Sequence, residues 1–228
     1  MGRLVVIEGL DGAGKRTLAD GLVTALRDRG ASVARIAFPR YDLDVHAELA
    51  RDALYGRLGD LASSVHGMAV LFALDRRAAA EQLRALRCGH DVVLLDRYVA
   101  SNAAYGAARL HEDAQGPFVD WLRGLEVDRF GLPVPDLQLL LRVPMSVAAA
   151  RADRRAGADT ARAKDLYETD HELQARCAAV YDDLAASGWL APWTVLDGPS
   201  FGGPSFGGTA AGASATSNLS ELAVQLLG

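Results

Sequence analysis

Cysteine is nearly absent from this chain. Cys88 and Cys177 are the only two, far apart, with no CxxC spacing and no histidine placed to share a metal with them. That excludes a disulfide framework and a structural zinc site, and both thiols are expected to be free and buried in a reducing compartment. Lysine is almost as rare, present only as Lys15 and Lys164 among many arginines. No apolar run approaches the ~20 residues of a membrane span. The N-terminus enters an apolar run at once, without the layout of a signal peptide, so a cytoplasmic protein with no membrane partner is expected. An excess of positive charge is also missing. The net charge of −5 argues against a general nucleic-acid binder.

Half of the 228 residues are hydrophobic, enough for one α/β domain spanning 1–228 with a full core. The stretch Glu8-Gly9-Leu10-Asp11-Gly12-Ala13-Gly14-Lys15-Arg16-Thr17 follows the apolar run Leu4-Val5-Val6-Ile7 and precedes Leu18, Leu22 and Leu26 at helical spacing. Strand, glycine-rich turn and helix are the context in which G-x-x-x-x-G-K is a P-loop, and Gly9, Gly14 and Lys15 fit that pattern. Glycines let successive backbone N–H groups turn inward onto phosphate oxygens, and the positive end of the following helix adds to the attraction. Asp11, Gly12, Ala13, Gly14, Lys15, Arg16 and Thr17 are therefore the candidate binders of a nucleoside triphosphate. Lys15 would act as a compact mobile charge on its outer phosphates. The pattern asks for Ser or Thr directly after the lysine, as a ligand of Mg²⁺. Arg16 holds that slot, and Thr17 comes one step later.

Further strands are predicted at Val33-Ala34-Arg35-Ile36-Ala37-Phe38, Val92-Val93-Leu94-Leu95, 136–142 and Trp193-Thr194-Val195-Leu196, separated by helical segments at 42–57, 63–86, 101–125 and 167–186. Strands alternating with helices imply a P-loop NTPase fold, a five-stranded parallel sheet with helices on both faces. Residues 151–165 are crowded with arginine, alanine and aspartate and can bury little, so a surface or mobile segment is expected there. Residues 198–218 repeat Pro-Ser-Phe-Gly-Gly twice and continue with small residues, which reads as a flexible excursion. Asn218 would then cap a return helix.

A triphosphate site does not say what receives the phosphate. In open α/β sheets the acceptor sits beyond the carboxyl ends of the strands. There lie Phe38-Pro39-Arg40-Tyr41 and Asp96-Arg97-Tyr98-Val99-Ala100-Ser101-Asn102-Ala103-Ala104-Tyr105, with Phe72 and Arg76 one helical turn apart between them. Together with the P-loop, Leu71-Phe72-Ala73-Leu74-Asp75-Arg76, the arginine-rich segment and Asp165-Leu166-Tyr167-Glu168, these pieces resemble the thymidylate kinases of bacteria. The likeness covers residues 3–196, and the stretch from Asp96 to Tyr105 is its most specific part.

The resemblance implies ATP and Mg²⁺ as cofactors, dTMP as acceptor, a homodimer, and a lid at 151–165. It places Asp11, Phe38, Tyr41, Phe72, Arg76, Arg97, Asn102, Tyr105 and Tyr167 around dTMP. Phe72 would stack on the pyrimidine, Arg76 would donate to thymine O4, and the Asn102 amide would pair donor and acceptor with the O2 and N3–H edge. Arg97, with Tyr41 and Arg40, would hold the monophosphate. Tyr105 would lie under the sugar. Lys15, Arg16, Arg97, Arg155 and Arg162 are the candidate catalytic cations, with Arg151 and Arg154 in the same segment. Asp11 and Glu168 are the expected metal ligands, with Asp96 as an alternative. The acceptor phosphate has a second pKa of about 6 and needs charge neutralisation more than a base. A deoxynucleoside kinase acting on thymidine would want a carboxylate base at the end of the second strand, where this chain has Arg40. A GTPase is excluded by the lack of Asn-Lys-x-Asp, since Asn102 and Asn218 are the only asparagines and neither precedes lysine.

Overall fold

The computed structural model describes residues 1–158, 166–198 and 211–228, with the side chains of 152–158, 168 and 211–217 left aside. Runs too apolar to face water on either side form the middle of the molecule. Leu4, Val5, Val6 and Ile7 are fully buried in strand β1 (Arg3–Glu8), as are Val92 to Leu95 in β3 (Val92–Asp96). With β2 (Val33–Ala37), β4 (Leu137–Arg142) and β5 (Trp193–Asp197) they make one sheet, ordered β2-β3-β1-β4-β5, every pair parallel. All five predicted strands are present.

Side chains alternate across β1 as a pleated strand requires. Leu4 and Val6 enter a core on one face, and Val5 and Ile7 enter a second core on the other. The first core is closed by α3 (Val65–Ala78), α4 (Ala80–Gly89), α5 (Val99–Leu110), α6 (Pro117–Arg123) and α9 (His171–Ser187). The second is closed by α1 (Lys15–Arg27), by Ala148 of α7 (Met145–Ala158) and by α10 (Ala211–Leu227). α2 (Val45–Leu54) packs its buried alanines against α3, and the short α8 (Leu166–Thr169) precedes α9. No helix among the described residues is long and apolar enough to cross a membrane.

Several boundaries differ from expectation. The helix predicted over 63–86 is capped by Ser64, whose hydroxyl accepts from the Gly67 N–H, but it breaks at Ala79. No breaker marks the place. Buried alanines at 79 and 80 let the chain bend into the core instead. The helix predicted over 101–125 ends at His111, in the left-handed region at φ 58°, and resumes at Pro117. Gly116-Pro117 is the signal for that break. Gly124–Arg129 then forms one π-helical turn. The return helix begins at Ala211, so Asn218 lies inside it rather than at its cap. The phenylalanines of the excursion, Phe201 and Phe206, lie outside the described residues. Cys177 is buried as expected, but Cys88 is exposed at the polar end of α4. The Phe38–Pro39 peptide is cis.

This order positions the site. From β1 the chain crosses to β2 and returns as β3 on one side, then crosses to β4 and β5 on the other. The carboxyl end of β1 therefore lies where the winding reverses, and crevices form at such points. Ile7 pairs with Asp96, so the loops after β1 and β3 emerge side by side. On the opposite edge of the second core, Leu226 of α10 is only 1% exposed. Leu226→Ala should lower unfolding free energy by about 2–5 kcal/mol, seen as an earlier denaturation midpoint with an unchanged slope.

Candidate active site

The glycines of the loop after β1 are demanded by close packing. Gly9 sits at φ 139°, and a Cβ there would come within 2.6 Å of the Leu141 carbonyl oxygen. Gly12 sits at φ 78°, and a Cβ would meet the Ala148 carbonyl oxygen of α7 at 2.1 Å. Gly14 precedes α1 with no side chain capping the helix. The first amides of α1 are thus left for a ligand, and their dipole favours an anion. Lys15 is 8% exposed and folds back, donating from Nζ to the carbonyls of Gly9 at 3.0 Å and Leu10 at 2.8 Å. Burial, with the nearby Arg97 charge, pulls its pKa down to about 8 against the opposing pull of Asp11, Asp96 and Glu8. Arg16 and Thr17 are exposed beside it. α7 is seated on the loop through Gly12, and Arg151 Nη1 donates to the Ala13 carbonyl at 3.0 Å. Leu10, Asp11, Met145, Ala148, Ala149, His171 and Gln174 line a shallow recess beside this contact.

The loop after β3 meets it. Arg97 adopts φ 66°, a left-handed conformation that a non-glycine residue holds only at a cost, and such positions cluster at functional sites. Its N–H donates to the Ile7 carbonyl at 2.9 Å, which ties the end of β3 to β1. Arg97 Nη2 pairs with Asp11 Oδ1 at 2.7 Å, and the Tyr105 hydroxyl donates to Asp11 Oδ2 at 2.8 Å. Burial alone would raise the Asp11 pKa. The charges of Arg97 and Lys15 and the bonds from Tyr105 and Arg97 override it and hold the carboxyl well below the usual range. Burial likewise works against the Arg97 charge, and Asp11 together with Tyr105, Tyr181 and Glu8 more than restores it.

Beneath this pair lies a carboxylate absent from the predicted set. Glu8 is fully buried and accepts from the Tyr98 N–H at 2.8 Å, the Ser101 hydroxyl at 2.6 Å and the Tyr181 hydroxyl at 3.0 Å. Ser101 Oγ in turn accepts from Arg97 Nη1 at 2.9 Å. Glu8 thus splices the start of α5 and the middle of α9 to the end of β1. A glutamate closing a fully apolar strand was the available signal, because a buried carboxylate must be hydrogen-bonded.

Farther out, α3 and α5 face each other. Arg76 is 3% exposed and forms a two-point pair with Glu126, Nε to Oε2 and Nη2 to Oε1, both at 2.6 Å. Asn102 Nδ2 donates to the Ala69 carbonyl and to Glu126 Oε1, each at 2.9 Å. The expectation that this amide offers both a donor and an acceptor is therefore corrected. Both N–H bonds are engaged within the protein, and Oδ1 alone is left to accept. Phe72 is half-buried on α3. Tyr105 stacks on Tyr167 with centroids 6.0 Å apart, and Arg109 bonds the Tyr167 hydroxyl. Phe38 is buried against Tyr98. Tyr41 lies under the Arg51 guanidinium. Arg40 is not a free phosphate clamp: Nε pairs with Asp75 at 2.7 Å and Nη2 with Asp44 at 3.0 Å, which fastens the end of β2 to α3. The side chains of Arg154, Arg155, Arg162 and Glu168 lie outside the described residues. Among those described, no three His, Cys, Asp or Glu residues converge as a metal cluster.

Fold and site together have the parts of a P-loop nucleotide kinase, a glycine-rich phosphate cradle after β1 and a buried polar constellation on α3, α5 and the Gly124–Arg129 turn. The family model for thymidylate kinase matches residues 7–191. The chain is 55% identical over 193 residues to the thymidylate kinase of Mycobacterium tuberculosis strain H37Rv, covering 85% of this chain and 90% of that one. It is 38% identical over 189 residues to that of Xanthomonas campestris pv. campestris strain B100, covering 82% and 74%. A solved thymidylate kinase from Candida albicans superimposes with a TM-score of 0.69 at 23% identity, over 98% of this chain and 92% of that one, and shows the shared fold. The chain belongs to the thymidylate kinase family.

The lowered pKa of Lys15 gives this site a proton-linked signature. A bound triphosphate favours the charged amine, so binding at pH 8 should take up as much as about half a proton per site. Calorimetry of ATP binding in two buffers of different ionisation enthalpy reads this directly. Affinity should fall as pH rises from 7 to 9, and both effects should vanish in Lys15→Met.

Proposed function

We propose that this chain transfers the γ-phosphoryl group of ATP to dTMP in line, giving ADP and dTDP. The observation that carries the reading is the shared position of Asp11, whose charge acts on both the P-loop Lys15 and Arg97 of the β3 loop. Two cations anchored on two strands converge on one point, as the meeting of two phosphate chains requires. In this reading Lys15, Gly12, Ala13, Gly14, Arg16 and Thr17 hold the ATP phosphates. Arg97 turns from Asp11 to the dTMP phosphate, and Tyr105 lies under the sugar, where a 2′-hydroxyl would crowd it. Phe72 stacks on the base and Arg76 donates to O4. The Asn102 oxygen accepts from N3–H.

The arginines of 151–165 close over the donor, with Arg155 on the transferring phosphoryl group and Arg162 beside it. Arginine suits this task because its planar fork engages phosphate oxygens in pairs. Closure also expels water that would hydrolyse ATP.

Asp11 and Asp96 both lie near enough to Lys15 to raise its pKa, and both keep some solvent access. Such hard oxygen donors fit Mg²⁺, and Asp11, with Glu168 and Asp96, would hold it. The ion would supply neutralisation of charge between the outer phosphates. The exposed free thiol of Cys88 suits the reducing cytoplasm. The His66–Phe118–Trp121 aromatic group, with Trp121 exposed, supports a homodimer.

An acceptor panel with ATP tests the reading. dTMP should be favoured strongly over dCMP and thymidine, and turnover of thymidine in place of dTMP would overturn it. Lys15→Ala should abolish turnover. Arg155→Ala should lower kcat by at least tenfold with little change in dTMP binding, whereas a normal kcat with a raised KM would remove it from the chemistry.

A further inference from the structure

Glu126 touches neither nucleotide in the proposed phosphoryl transfer to dTMP, and the role assigned to it here rests on that function. It is fully buried in the π-helical turn Gly124–Arg129, a device that re-aims side chains and recurs at functional sites. Its two oxygens meet three hydrogens that belong to the base-reading residues. Oε2 accepts from Arg76 Nε, and Oε1 accepts from both Arg76 Nη2 and Asn102 Nδ2.

An asparagine amide is nearly symmetric in shape, and its orientation is decided by its partners. Both partners of Nδ2, the Ala69 carbonyl and Glu126 Oε1, only accept. Turning the amide over would set its oxygen against two other oxygens. The carboxylate therefore fixes which end of Asn102 is left free, and that end is Oδ1. The same carboxylate holds Arg76 by Nε and Nη2, leaving the Nη1 hydrogens free to donate. One side chain, whose Oε1 is shared by both residues, thus fixes an acceptor on Asn102 and a donor on Arg76.

Thymine offers N3–H and the O4 carbonyl to that pair. Cytosine offers an unprotonated N3 and an amino group, the reverse at both atoms. The geometry points to Glu126 as the positioning residue that sets thymine-over-cytosine specificity, acting through Asn102 and Arg76 without touching the base. The 5-methyl group plays no part, so dUMP is not excluded by this device.

Glu126→Gln tests it. Glutamine keeps the size but has one accepting oxygen in place of two, and because Oε1 serves both Arg76 Nη2 and Asn102 Nδ2, its NH₂ must face a donor either way: Arg76 Nε in one orientation, Arg76 Nη2 and Asn102 Nδ2 in the other, so the lock on at least one of the two readers is lost. The ratio of kcat/KM for dTMP over dCMP should fall at least tenfold, with the KM for ATP unchanged, while Glu126→Asp, which keeps an all-acceptor group, should retain most of the ratio. A folded Glu126→Gln enzyme with the wild-type ratio would overturn the assignment, as would equal losses in both variants. Should Glu126→Gln fail to fold, the wild-type protein still decides. The Asn102 side-chain amide protons should be protected from solvent exchange by NMR and should remain so when dTMP binds, and free exchange would refute the lock. Failure of the proposed function itself is distinguishable, because wild-type enzyme would then show no preference for dTMP over dCMP.

Discussion

The molecule is organised around a problem of like charge. Lys15 and Arg97 lie close enough for each cation to disfavour the other, and both are largely withdrawn from water. Such a pair persists only if anions are built in around it. Asp11 lies between them, Glu8 beneath and Asp96 alongside, supplied by the loop after β1 and by the ends of β1 and β3. The parallel pairing of those strands is therefore more than scaffold, because Ile7 opposite Asp96 is what sets the loops shoulder to shoulder. Lys15 is held by loop carbonyls and Arg97 by Asp11. In the proposed function the phosphates would replace partners that already exist, so the charges are set in place beforehand.

The opposite end of the constellation solves a different problem. A base carries no net charge, so recognition there depends on hydrogen-bond polarity, and polarity must be held against rotation of an amide. In the proposed function this accounts for the burial of Arg76, Asn102 and Glu126 beside the exposure of Arg16 and Thr17, which would meet phosphate. Burial makes an unmatched donor or acceptor costly, and that cost is the source of discrimination.

Legibility from sequence followed the range of the interactions involved. The strands were readable because burial on both faces leaves continuous apolar runs, and the P-loop because its glycines and lysine are contiguous. Gly116-Pro117 signals the end of one helical stretch, whereas the bend at Ala79 has no local marker and arises from packing. Glu126 lies 50 residues from Arg76, on a turn whose π-helical character nothing nearby announces. A buried arginine demands an acid, but sequence does not say which one. Arg40 illustrates the same limit: its position beyond β2 suits a phosphate clamp, yet Asp75, 35 residues on, takes it for a structural tie. The partners of Glu8 are similarly distant, with Tyr181 lying 173 residues away.

The seating of α7 on the P-loop carries one more implication. Gly12 lies against the Ala148 carbonyl, and Arg151 holds that of Ala13, so one turn of the helix rests on the glycine-rich loop. Close-packed contacts transmit small displacements rather than absorb them. A few tenths of an ångström of adjustment at the loop would tilt a rod about 20 Å long, given 14 residues at ~1.5 Å each. In the proposed function its far end, where the arginine-rich stretch begins, would move by a multiple of that amount, and the grip on the donor would double as a lever on the groups that close over it.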